Sequence, residues 1–275
     1  INDQFGGDLR FIISGGAPLS SQLGQFFHAC GILILEGYGL TETSAATCVN
    51  RVDDFAFGTV GKPLPGTQIK ISEENEVLIK GPGTTTGYHN LPDHTARLFT
   101  DDGWLRTGDL GKLDARGNLV LTGRIKDLII TSGGKNIAPA HFERMLMEHS
   151  PFVSSVLMYG DNRPFCVALI SLCEAPIVRW ATEQKLTDTT VKSLMDTPEV
   201  RELIQTEIDA VNTHLPSFET VKRFILIEDP FSTISEGLTH SMKIKREVIF
   251  EQHSEILTDL YKDMKIPDFS KELPI

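Results

Sequence analysis

Two apolar runs near the start of the chain break into glycine, and this constrains the fold more than any other feature. Residues 9–13, Leu-Arg-Phe-Ile-Ile, end at Ser14-Gly15-Gly16-Ala17-Pro18, and residues 32–35 lead straight into Glu36-Gly37-Tyr38-Gly39-Leu40. Between them Leu23, Phe26 and Phe27 recur at helical spacing over residues 19–29. The pattern predicts strand, glycine turn, helix, strand, glycine turn within one α/β unit. Ligands of such sheets gather at the C-terminal ends of the strands.

Beyond residue 57 the texture changes. Short strand candidates at 68–71, 76–80 and 118–122 are separated by Gly and Pro, with one brief helix near 93–98. This predicts a β-rich subdomain up to residue 123. An α+β pattern follows, with a helix at 139–149 and strands near 153–159 and 165–172. The clearest helix spans 198–215, where Val200, Ile204, Ile208, Val211 and Leu215 share a face and Pro198 occupies the tolerated first turn. A charged stretch at 124–127 is the expected domain boundary. With 275 residues and 40% hydrophobic content, the chain is long enough for one large or two modest cores.

Composition removes several function classes. Lys and Arg number 26 against 37 Asp and Glu, a net charge of −11 spread along the chain, which argues against a nucleic-acid partner. Cys30, Cys48, Cys166 and Cys173 lack paired spacing and lie among apolar or small residues, as buried free thiols do. A reducing, cytoplasmic setting is expected, with peripheral membrane association left open. No apolar run approaches the ~18 residues of a spanning helix. The eight histidines show no metal-ligand spacing. The opening Ile1-Asn2-Asp3, without an initiator Met, suggests a piece of something longer.

Five segments in order carry a family resemblance: Gly15-Gly16-Ala17-Pro18-Leu19, Tyr38-Gly39-Leu40-Thr41-Glu42-Thr43, Gly103-Trp104-Leu105-Arg106-Thr107-Gly108-Asp109-Leu110, Gly123-Arg124-Ile125-Lys126-Asp127, and Gly237-Leu238-Thr239 through Lys243. Together they resemble the adenylate-forming superfamily of acyl-CoA synthetases, luciferases and peptide-synthetase adenylation domains. The resemblance implies residues 1–123 as the C-terminal part of a large AMP-binding domain, a hinge at 124–127, and a small mobile α+β domain at 128–275.

It also implies roles. Gly15, Gly16 and Ala17 would line the adenine, where a bulky side chain would block backbone approach. Glu36, Gly37 and Gly39 would flank the nucleotide, Tyr38 would pack on adenine, Thr41 would approach the α-phosphate, and Glu42 would hold Mg²⁺, which prefers hard oxygen ligands. Asp109 would accept both ribose hydroxyls. Arg124 would reach the nucleotide as a fixed cation, Lys126 would be the pivot, and Lys135, after Ser132-Gly133-Gly134, would meet the thiol acceptor and phosphates.

Lys243 matches the family's C-terminal lysine, which bridges the attacking carboxylate and the phosphoryl oxygens; Lys245 is its rival. Met242 stands where Gly is usual. The leucine-threonine approach and the lysine at the hinge are similar to long-chain-fatty-acid–CoA ligases. The implied activity is a two-step ligation using ATP, Mg²⁺ and coenzyme A, with delivery to a carrier-protein thiol, or a non-catalytic fragment, as alternatives. The segment Gly81-Pro82-Gly83-Thr84-Thr85-Thr86-Gly87 lacks the Pro-Lys of the family's phosphate loop and is expected to be structural. That loop and the acyl tunnel are then expected upstream of Ile1, leaving the chain inactive alone.

Overall fold

The computed structural model describes residues 2–228 and 244–262. The described chain divides into two compact units. One gathers the chain up to Ile129 with Asn136–Glu148, the other Ile130–Lys135 with the described chain from His149 onward. The expected boundary at 124–127 falls just before the first crossing, and helix 139–149 belongs almost wholly to the first unit.

The first unit is two four-stranded sheets. β1 (Ile12–Gly15) pairs in parallel with β2 (Ile34–Leu40) after the crossover helix α1 (Ser21–Ala29), whose N-cap Ser20 accepts the Leu23 N–H. β3 (Ala45–Val49) and β4 (Lys62–Pro63) complete that sheet in antiparallel sense. The second sheet is an antiparallel meander of β5 (Gln68–Ile71), β6 (Glu76–Lys80), β7 (Leu105–Leu113) and β8 (Leu119–Arg124), with α2 (Pro92–Leu98) between β6 and β7. Tyr38, Cys48 and Val60 pack with Val77, Ile79 and Leu119, so one apolar core joins the two sheets.

The structure departs from the sequence pattern at the second glycine segment. Glu36-Gly37-Tyr38-Gly39-Leu40 is not a turn: it lies inside β2, with Gly37 opposite Val49 and Gly39 opposite Ala46. Glycine is required for proximity instead of for a bend, since a Cβ on Gly39 would sit 1.5 Å from the Ala45 carbonyl oxygen. The turn comes later, at Thr41–Thr43.

A short hairpin follows, β9 (Ile129–Ile130) and β10 (Asn136–Ile137), then α3 (Pro139–His149). The second unit has a three-stranded sheet in which β11 (Val153–Tyr159) pairs antiparallel with β12 (Cys166–Leu172), and β12 pairs in parallel with β13 (Val221–Leu226). Every residue of β12 is buried, as a central strand covered on both faces must be. The crossover runs through α4 (Glu174–Glu183), α5 (Val191–Met195) and α6 (Pro198–Asn212); α7 (Arg246–Gln252) and α8 (Ser254–Asp259) pack Ile249 and Leu257 against Leu157, Val167 and Leu169.

α6 buries Val200, Ile204, Ile208 and Val211, the face its periodicity predicts, but ends three residues earlier than expected. Pro216 disfavours helix at Leu215. The Asn212 side chain also leaves the helix, exchanging two hydrogen bonds with the Val221 backbone at 2.9 and 3.0 Å and tying the helix end to β13.

Candidate functional site

The sequence elements expected to meet a nucleotide converge on β2. At the C-terminal end of β1, Gly15 lies opposite Gly37, and a Cβ on Gly15 would come within 3.1 Å of the Gly37 carbonyl oxygen. Gly15, Gly16 and Ala17 are all exposed, and Gly16 has a φ of +85°, where glycine is favoured. The turn is secured from below. Glu36 accepts the Leu19 N–H at 3.3 Å and a second backbone bond from Gly58. Burial raises the Glu36 pKa above its ordinary value, and those bonds and the Arg144 charge only partly counter it.

Tyr38, next along β2, points across to the second sheet. Its hydroxyl donates to Asp109 Oδ2 at 2.6 Å, and Arg124 Nε donates to Oδ1, also at 2.6 Å. Asp109 and Arg124 are direct cross-strand partners on β7 and β8, so sheet register brings acid and base together. Tyr38 is 8% exposed and Asp109 6%. Tyr38 therefore presents its hydroxyl to Asp109 from within the core, with little open ring surface. Burial first, then the Asp109 charge, pushes the Tyr38 pKa far up, so the hydroxyl remains a donor. Burial works against the Arg124 cation, but Asp109, with help from Asp127 and Tyr38, more than offsets it and holds the guanidinium above its ordinary value.

The irregular stretch of β7 before Asp109, where the β6–β7 register shifts and Gly108 takes a φ of +69°, has its own support, which the sequence did not advertise. Buried Glu76 accepts the Gly108 N–H at 3.0 Å and Arg106 Nη1 at 3.3 Å. Thr107 donates to the Val77 carbonyl at 2.6 Å and accepts the Asp109 N–H at 3.0 Å.

Thr41 and Glu42 occupy the single 3-10 turn that ends β2. Thr43 is its hub: the hydroxyl accepts the Leu40 N–H at 2.9 Å and the Thr47 hydroxyl at 2.8 Å. Ser44 and Ala45 then both take positive φ, 56° and 85°, the kind of strain that surrounding contacts must hold in place. A cleft of about 190 Å³ opens beside the turn, lined by Thr43, Ser44, Ala46, Thr47 and Leu64 among others. Ligand pockets usually span about 300–1,000 Å³, so this cleft does not by itself seat a long acyl chain.

Lys126 lies exposed in the turn Ile125–Asp127, which buries no side chain. In the second unit, exposed Lys135 ends the β9–β10 loop, with its Nζ 5.6 Å from the Phe218 ring centre. Lys243 lies outside the described residues; Lys245 is exposed at the N-cap of α7. Among the described residues no three His, Cys, Asp or Glu converge as a metal cluster, and no helix is long and apolar enough to cross a membrane. One carboxylate beside a hydroxyl nevertheless fits Mg²⁺, which keeps several waters and takes phosphate oxygens in place of an all-protein cage. All four cysteines are free; burial pushes Cys48 and Cys166 up to about 12, which suits packing and not reactivity.

This architecture is that of adenylation domains. The adenylation domain of a carboxylate reductase from Mycobacterium chelonae superposes with a TM-score of 0.74 at 25% identity, over 95% of this chain and 40% of that one. ATP-bound MatB from Rhodopseudomonas palustris gives 0.70 at 27% identity, over 92% and 47%. The chain belongs to the AMP-binding enzyme family, whose model matches residues 2–89 and whose C-terminal-domain model matches residues 126–265. Among its relatives is a long-chain-fatty-acid–CoA ligase of Mycobacterium bovis, 37% identical over 93% of this chain. The chain spans 42% of that protein's length.

Proposed function

We propose that this chain serves the ATP-dependent conversion of a long-chain fatty acid to its coenzyme A thioester through an acyl-adenylate. The observation that carries the proposal is the setting of Asp109. An ionised carboxylate offers about four acceptor positions. Tyr38 uses one on Oδ2 and Arg124 one on Oδ1, which leaves each oxygen able to accept again. Two carboxylate oxygens, each fixed by one partner and each with acceptor capacity left, suit the vicinal hydroxyls of a ribose. The names of the relatives support the acyl substrate and thiol acceptor.

In the first step a fatty-acid carboxylate oxygen forms a bond to the α-phosphorus and the bond to the bridging oxygen breaks, releasing pyrophosphate. Thr41 would donate to the α-phosphate, and Lys243 would balance the charge shared by carboxylate and phosphoryl oxygens. Mg²⁺ held by Glu42 and the phosphates would supply neutralising charge. In the second step the coenzyme A sulfur bonds to the acyl carbon, its proton leaves to solvent, and the carbon–oxygen bond to AMP breaks. Rotation about Lys126, with Arg124 beside it and Lys135 on the moving part, would exchange the two half-reactions. For the chain alone the proposal is adenosine recognition without turnover.

The test is AMP binding by calorimetry. Asp109→Asn should weaken AMP about 10- to 100-fold, the loss of one to two charge-assisted bonds, and leave 2′,3′-dideoxy-AMP unaffected. Equal effects on both nucleotides would refute ribose recognition. Acid-dependent ATP–pyrophosphate exchange across a chain-length series, with coenzyme A and carrier protein compared as acceptors, tests the acyl and thiol assignments.

A further inference from the structure

The glycine- and threonine-rich stretch at 81–87 was expected to be structural, yet its contacts and those of the adjoining Tyr88 fall on the turn that carries Thr41 and Glu42. The Thr85 N–H donates to the Glu42 carbonyl at 2.8 Å. The Ser44 hydroxyl donates to the Gly83 carbonyl at 2.9 Å, and the Tyr88 hydroxyl donates to Glu42 Oε1 at 2.7 Å. Glycine is needed for this docking, because a Cβ on Gly83 would lie 2.9 Å from the Thr43 carbonyl oxygen. Backbone and side chain of Glu42 are thus both engaged by one loop.

The loop is itself anchored at its far end. The Tyr88 N–H donates to Thr95 Oγ1 at 2.9 Å, and Thr95 in turn donates to the Leu91 carbonyl at 3.0 Å in the first turn of α2. Gly87, with a φ of +146°, lies so close to Thr95 that a Cβ would come within 2.4 Å of its methyl carbon. The tyrosyl ring therefore reaches Glu42 from a backbone pinned to a helix.

We infer that Tyr88 is a positioning residue for Glu42: its hydroxyl occupies one carboxylate oxygen and so sets the orientation in which Glu42 meets a phosphate-bound divalent cation. This rests on the proposed role of Glu42. Hydrogen bonds to a ligating carboxylate fix its geometry, and their loss commonly lowers metal affinity by about 10- to 100-fold. Tyr88 is 39% exposed, so the lower end applies.

The experiment uses Mn²⁺ as the metal probe, with its binding to the chain in the presence of ATP followed by water-proton relaxation. Glu42→Gln is the reference and should abolish the ATP-dependent Mn²⁺ signal. Tyr88→Phe should weaken Mn²⁺ about tenfold while amide exchange at Thr85 stays as slow as in the parent chain, because Thr85 and Ser44 still dock the loop. A Mn²⁺ affinity unchanged by Tyr88→Phe, with Glu42→Gln still disabling, overturns this inference alone. A signal unaffected by Glu42→Gln overturns the role of Glu42 and this inference with it. Loss of Thr85 protection in Tyr88→Phe would show that Tyr88 merely holds the loop, and would overturn the positioning role.

Discussion

Replacing Tyr38 by Phe removes one hydroxyl from the junction of the two sheets and leaves the ring in the core. The lost bond is short, buried and made to a carboxylate, 2.6 Å to Asp109 Oδ2. Bonds to charged groups contribute about 1.5–3 kcal/mol. Asp109 keeps its Arg124 partner, so its charge is not orphaned, and the expected loss is near the lower end, about 1.5 kcal/mol. Tyr38→Ala also removes the ring from among Cys48, Val60, Val77, Ile79 and Leu119 and should cost about 3–5 kcal/mol in all.

A chain of two compact units has no single unfolding free energy, so the probe must be local. The two tryptophans are divided, Trp104 in the first unit and Trp180 in the second. In a Trp180→Phe background, fluorescence-detected urea unfolding reports the first unit through Trp104. Tyr38→Phe should lower the midpoint at constant slope, as expected for lost stability without a change in exposed surface. A loss below about 0.5 kcal/mol would place the bond among surface contacts of little consequence and refute the argument from burial. A loss equal to that of Tyr38→Ala would assign the whole effect to the hydroxyl and leave the ring's packing without weight, against the larger cost expected from its burial.

Gly39→Ala should abolish the folded first unit, because the added carbon would overlap the Ala45 carbonyl at 1.5 Å; circular dichroism and loss of AMP binding are the readouts. Glu36→Gln should raise the thermal midpoint at neutral pH. Burial raises the folded-state pKa of Glu36, so the wild type loses stability as pH rises through that value, and the gain in the Gln variant should vanish below the unfolded value. A gain that grows at acid pH would contradict this. Ile204→Ala, at a fully buried position of α6, should cost about 2–5 kcal/mol in unfolding followed by Trp180.

Local pattern made much of the fold legible. The apolar stripe of α6 and the apolar run of β12, broken only by Ser171, announce a packed helix and a central strand, since both are set by burial period alone. Asp109 was legible as a candidate from its Thr107-Gly108 context. Its partners were not, because Tyr38 lies 71 positions away and reaches it only when two sheets face each other. Gly37 and Gly39 misled for a related reason: a glycine that permits close backbone approach has the same letter as one that permits a turn. The stretch at 81–87 lacks the Pro-Lys of the family's phosphate loop and so reads as structural, while its contacts and those of Tyr88 with Glu42 bridge elements that no sequence period connects.

The two acids on which the proposed chemistry depends are each held by a tyrosyl hydroxyl, but in different surroundings. Tyr38 holds Asp109 from inside the core and beside the Arg124 guanidinium, so that carboxylate is fixed at both oxygens. Such rigidity suits recognition of a neutral diol, where affinity comes from acceptors already in place. Tyr88 holds Glu42 at the surface, on a loop that water can reach. A carboxylate that must accept a hydrated cation with each nucleotide and give it up with pyrophosphate needs a partner that can exchange with water. The difference in burial between the two tyrosines thus matches the ligands proposed for the two acids: Asp109 would read the part of ATP that stays through both steps, and Glu42 the part that leaves after the first.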